Sequence, residues 1–147
     1  MIINNSSIRI QFEKKENITN LKHGKGFIFE LNFWNQNKKE IIKKTKNIGI
    51  QINSNESIST IIEDIQYFQL ICFNFLTFKD GRPFTYSKKL RETFKFMNQI
   101  RASGHILPDQ YIFLLRCGFD AFDIPEKDSK IWKDFLVHDS GLYYQPK

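Results

Sequence analysis

Leu70-Ile71-Cys72-Phe73-Asn74-Phe75 is a nearly continuous apolar run of strand length. A strand solvated on one face alternates apolar and polar residues, whereas one covered on both faces of a parallel sheet reads as an unbroken apolar stretch. The run therefore predicts a central parallel strand. Toward the amino terminus, Ile48-Gly49-Ile50-Gln51-Ile52 also reads as a strand. Asn53-Ser54-Asn55 then forms the turn into a helix that spaces Ile58, Ile61, Ile62 and Ile65 at i, i+3, i+4 and i+7. Farther upstream, Phe27-Ile28-Phe29-Glu30-Leu31 has strand character, and Asn32 caps a helix with Trp34, Ile41 and Ile42 as its apolar positions.

Toward the carboxyl terminus, the loop Asp80-Gly81-Arg82-Pro83 leads into a helix expected from about Thr85 to Met97, with Tyr86, Leu90, Phe94 and Met97 along one side. Gln99-Ile100-Arg101-Ala102 is a weaker strand, and a helix from about Pro108 to Cys117 stops before Gly118. Phe119 to Ile124 alternates as a strand does, and a last helix is expected from Asp128 to Val137 with Ile131, Trp132 and Phe135 apolar. Five successive βα units predict an α/β protein with a mostly parallel, five-stranded sheet and flanking helices. A flavodoxin-like doubly wound sheet is the first expectation, and a partial βα barrel is the alternative. Residues 1–25, rich in Asn, Lys and Ser, are expected to form an irregular arm, and residues 26–147 a single domain.

Composition supports one globular unit. The chain has 147 residues, of which 41% are hydrophobic and 15 are Phe, so it can build a core without staples. The apolar runs are far shorter than the roughly 18 residues that suggest a membrane span. The amino terminus shows no basic region followed by an apolar stretch of signal length, so a cytoplasmic protein is expected. Cys72 and Cys117 sit in apolar segments, too isolated for a disulfide framework or a CxxC pair, and are expected to be reduced core residues. Net charge is +6, and all of it resides in residues 1–47, which hold ten Lys and Arg against four Asp and Glu. Those lysines are not interleaved with stacking aromatics, which argues for a solvated basic face and against nucleic-acid binding.

Ligands of parallel α/β folds bind beyond the carboxyl ends of the strands. The loops there carry Asp80-Gly81-Arg82 and Ser103-Gly104-His105, with Asp123 near the end of the fifth strand. The chain has 17 Lys but only 5 Arg, and Arg82, Arg91, Arg101 and Arg116 fall within 35 residues. Guanidinium gives a planar, bidentate grip on oxyanions that ammonium cannot reproduce, so this usage points to an anion site. The competing reading pairs Arg82, Arg91 or Arg101 with Asp80, Asp109 or Asp120 as structural ion pairs. The candidate ligand-binding residues are Asp80, Gly81, Arg82, Tyr86, Ser87, Arg91, Arg101, Gly104, His105, Asp109 and Gln110. Asp80, His105 and Asp109 are the acid–base candidates. His23 and His138 share no metal-ligand spacing with His105, and no metal is expected. Neither GxGxxG nor GxxxxGK[ST] occurs, so no cofactor is signalled by motif. A flavin stays open because flavodoxin-like loops are less stereotyped.

Asp80-Gly81-Arg82 with Ser87, Leu90-Arg91, Ile100-Arg101-Ala102 with Gly104, Pro108-Asp109-Gln110 and Arg116-Cys117-Gly118-Phe119-Asp120-Ala121-Phe122 form a series of short motifs. Together they resemble the bacterial domain-of-unknown-function 934 family over about residues 70–123. Asn98-Gln99 and His105 depart from the family's usual Gly and Asp at those places. The resemblance implies an association with assimilatory sulfite reduction, in a family described as oxidoreductase, although these residues display no redox motif. The expected function is an accessory factor that binds an anion or the sulfite reductase. The alternative is a small-molecule oxidoreductase or another enzyme acting on an anionic substrate.

Overall fold

The structure, a computed structural model, describes residues 2–4, 11–19, 21 and 25–134. The strands are β1 (Ile2–Asn4), β2 (Phe12–Lys14), β3 (Gly26–Glu30), β4 (Ile48–Asn53), β5 (Phe68–Phe75), β6 (Gln99–Gly104) and β7 (Ala121–Asp123). The α-helices with defined bounds are α1 (Leu31–Lys44), α2 (Arg82–Glu92) and α3 (Tyr111–Arg116), and residues 129–134 are also helical. All seven strands join one sheet in the order β1-β7-β6-β5-β4-β3-β2. From β2 to β7 every pair is parallel, and β1 lies antiparallel on β7.

The α/β class and the parallel sheet are as the sequence indicates, and β5 is the middle one of the seven strands. From β2 to β7 each strand lies beside its predecessor in the chain. A doubly wound sheet reverses its order at a switch point. No reversal occurs here, so the order is that of the partial βα barrel, and the sheet curls as a half-barrel. Crossovers of one hand that always step the same way put their connections on one face of the sheet.

Side-chain alternation separates the two faces. Phe27 and Phe29, Ile48, Ile50 and Ile52, Ile71, Phe73 and Phe75, Ile100 and Ala102, and Phe122 pack with Trp34 and Ile41 of α1, Leu90 of α2, Leu114 of α3 and Trp132 in one core. The intervening positions Ile28, Leu70, Cys72 and Ala121 are buried as well, yet they stand outside that core. They line the opposite, concave face. Gly49 fits among them because a Cβ there would press to 3.1 Å from Ile28 and 3.3 Å from Leu70.

Several elements differ from expectation. The arm of residues 1–25 is not wholly irregular, since it supplies the two outer strands β1 and β2. Phe12 packs its ring where a Cβ on Gly26 would stand. Glu30, not Asn32, precedes the first helical turn. The isoleucine segment forms 3₁₀ turns at Ile58–Thr60 and Ile62–Tyr67 in place of an α-helix. Its β-branched residues and serines are poor helix formers, and Ser57 accepts the Ser59 N–H at 3.2 Å, which sets the tight turn. Helix α2 begins at Arg82 and ends at Glu92, before Lys95 adopts φ 56°. Met97 is therefore exposed, and Phe96 takes the buried position. A 3₁₀ turn, Pro108–Gln110, precedes α3. The expected end of the last helix at Val137, and its Phe135, lie outside the described residues, as do His23 and His138.

Candidate functional site

The concave face is polar across its middle strands. Gln51 of β4, Cys72 of β5 and Arg101 of β6 form one register row. One step toward the carboxyl ends, Asn53, Asn74 and Ser103 form the next. That second row satisfies itself. Asn74 Nδ2 donates to Asn53 Oδ1 at 3.0 Å, Ser103 Oγ donates to Asn74 Oδ1 at 3.4 Å, and Ser103 also meets Cys72 Sγ at 3.4 Å.

The first row is less complete. Arg101 is only 8% exposed, and its Nε and one Nη both donate to Gln99 Oε1 at 3.1 and 2.9 Å. It makes no ion pair among the described residues. A buried guanidinium held by a neutral amide has paid for desolvation without a matching carboxylate. Burial lowers its pKa, and the fields of Cys72, Asp123 and Asp120 oppose that shift. Burial likewise pushes the Cys72 thiol up, against the Ser103 hydrogen bond and the Arg101 charge. The thiol is thus a poor nucleophile near neutrality.

A second group of residues sits at the carboxyl edge of the strands. Arg82 grips Asp80 with two hydrogen bonds, Nε to Oδ1 at 2.9 Å and Nη2 to Oδ2 at 2.7 Å, and its guanidinium holds the Asp80 carboxyl well below the usual carboxylate range. His105 donates its backbone N–H to Phe75 O at 2.9 Å, its Nδ1 lies 3.3 Å from the same oxygen, and its ring meets Phe78 edge-on at 5.0 Å. Gln110 turns its Oε1 back to accept the Leu107 N–H at 2.9 Å. Asp109 lies beside it in the same 3₁₀ turn, and Gly81 immediately precedes α2.

Gly104 joins the two groups. Its φ is +84°, and a Cβ there would run into the Phe75 carbonyl oxygen and the Asn74 side chain. Gly104→Ala is expected to lower the unfolding free energy by about 1–3 kcal/mol, measured by urea denaturation. An unchanged midpoint would show that β6 does not approach β5 this closely.

Arg82, Arg91 and Arg101, three of the four arginines that the sequence groups together, do not converge. Arg82 lies at the carboxyl edge and is neutralised by Asp80. Arg91 lies at the opposite end of the sheet, where it donates to Gly118 O at 3.0 Å, Phe96 O at 2.7 Å and Asn98 O at 2.6 Å, and stands 3.6 Å from Asp120. It ties α2 to the segments entering β6 and β7. Tyr86 stacks on Phe73, and Ser87 is fully buried on the helix side. Of the three, Arg101 alone faces the concavity. Gln51 and Gln99 were not among the candidate site residues, and Cys72 was read only as a reduced core residue, although the alternation within Ile48-Gly49-Ile50-Gln51-Ile52 carried the signal that Gln51 opposes the isoleucine face.

Among the described residues, no helix is long and apolar enough to cross a membrane. The family model for bacterial proteins of unknown function (DUF934) matches residues 49–147, a span that includes Gln51, Cys72 and Arg101. No curated protein and no solved structure matches the chain.

Proposed function

This chain belongs to the family of bacterial proteins of unknown function DUF934, and from that premise we propose that it binds a small oxyanion on the concave face at Arg101 and serves assimilatory sulfite reduction as an accessory factor. The observation that carries the binding part is Arg101 itself, 8% exposed and bonded to a neutral glutamine. An incoming anion would supply the charge that the site lacks, in a buried setting where a bidentate guanidinium contact is strong. The sulfur-assimilation part rests on the motif resemblance between Asp80 and Phe122. A protein partner such as the reductase is supported by the apolar residues at the carboxyl edge, where Phe78, Leu107 and Phe113 are each at least 40% exposed. The raised thiol pKa of Cys72 weighs against nucleophilic chemistry and favours binding.

Deleting the gene from its host is expected to stop growth on sulfate or sulfite as sole sulfur source, with cysteine restoring it. Growth at the parental rate on all three would overturn the sulfur role.

A further inference from the structure

The row that holds Arg101 contains a second group without a partner, Gln51, which stands between Cys72 and the exposed acceptor Glu30 of β3. Gln51 is 8% exposed, and its Oε1 is fully buried with no hydrogen bond. A buried acceptor left unmade costs free energy, so such an atom in a folded protein calls for an explanation. Its neighbours do not provide one. Asn53 and Asn74, one step along β4 and β5, bond each other at 3.0 Å, and Cys72, between Gln51 and Arg101, turns to Ser103. Toward the amino ends of the strands the floor is apolar at Ile28, Gly49 and Leu70, between the exposed Lys14 of β2 and Gln99 of β6, whose Oε1 accepts from Arg101.

Gln51 and Arg101 flank Cys72 in register, so their backbones stand about 9–10 Å apart, two strand spacings. Both are long side chains on the concave side of a curled sheet, which inclines them toward each other. Between them they offer unlike chemistry: Arg101 supplies donors and positive charge, and Gln51 Oε1 is an acceptor seeking a donor.

We infer that the ligand of this face is a small acid that carries an N–H or O–H donor beside its anionic group, the anion held by Arg101 and the donor read by Gln51. The inference rests on the anion-binding reading given above and adds to it the chemical class of the ligand. A fully deprotonated, donor-free oxyanion such as sulfate satisfies Arg101 and leaves Gln51 Oε1 unmade.

Acetate and glycolate test it as a matched pair, because both present a carboxylate and only glycolate adds a hydroxyl donor. Titrations of the intact protein, followed through backbone amide chemical shifts, are expected to show glycolate binding about tenfold more tightly than acetate, the worth of one buried hydrogen bond. In Gln51→Met the two acids are expected to bind alike, at the acetate level. The ligand-free variant is expected to melt at or above the wild-type temperature, since it removes an orphaned acceptor and keeps the side-chain length. A glycolate preference that survives in Gln51→Met, or a clearly lowered melting temperature of that variant, overturns the inference while leaving anion binding intact. Absence of any carboxylate or sulfite binding to the wild-type protein overturns the anion reading and this inference with it.

Discussion

Phe73→Ala is expected to lower the unfolding free energy by about 3–5 kcal/mol, the range for deleting a large buried aromatic. Phe73 is 0% exposed at the middle of β5, with Tyr86 of α2 at 6.2 Å and Phe119 edge-on at 5.9 Å. Helix α2 and the segment entering β7 close on one ring there, so the cavity cannot collapse without shifting β5 or α2. Domains of this size are stable by about 5–15 kcal/mol, so the variant should lose a large fraction of its stability. Urea denaturation reads the change, with Met97→Ala as the control. Met97 is 86% exposed, and its truncation should cost less than about 0.5 kcal/mol. A loss below about 1 kcal/mol for Phe73→Ala would mean that the helices do not pack on this face as described.

Arg101→Met is expected to behave in the opposite way. The change keeps the length of the side chain and removes the charge. Replacing a buried ionic group by an apolar one of similar volume is often neutral or stabilising, because desolvation no longer opposes folding. Relief of the buried charge is offset by loss of the two hydrogen bonds to the buried Gln99 Oε1, so the unfolding midpoint should shift little, while affinity for sulfite falls by about 10- to 100-fold, as expected for loss of a charge-assisted hydrogen bond. This pairing of retained stability with lost affinity is the mark of a residue kept for binding. A lowered midpoint with unchanged affinity would instead make Arg101 a structural residue.

How much of this was legible in the sequence depends on whether the feature is local. Nearly continuous apolar character from Leu70 to Phe75 identified a central parallel strand, and Ile48, Ile50 and Ile52 marked the face that the helices cover. The direction of winding was not legible, because a βα unit looks the same whether the next strand is laid to the left or to the right. The strands β1 and β2 are three residues long and too short to show alternation. Arginine clustering misled for a geometric reason. Arg82 and Arg91 are nine residues apart on α2, and at 1.5 Å per residue that separates them by about 13 Å along the axis, toward opposite ends of the sheet. Arg101 was found by its residue type, but its burial and its neutral partner Gln99 appear only once β6 lies between β5 and β7.

The central claim is that the concave face around Arg101 is a binding site, and the most direct measurement is a sulfite titration of wild type and Arg101→Met followed by backbone amide chemical shifts. The account predicts saturable shifts centred on Gln51, Cys72 and Arg101 in the wild type and their loss in a variant that remains folded. Shifts confined to the Asp80, Arg82 and His105 edge, or identical titrations of the two proteins, would contradict it.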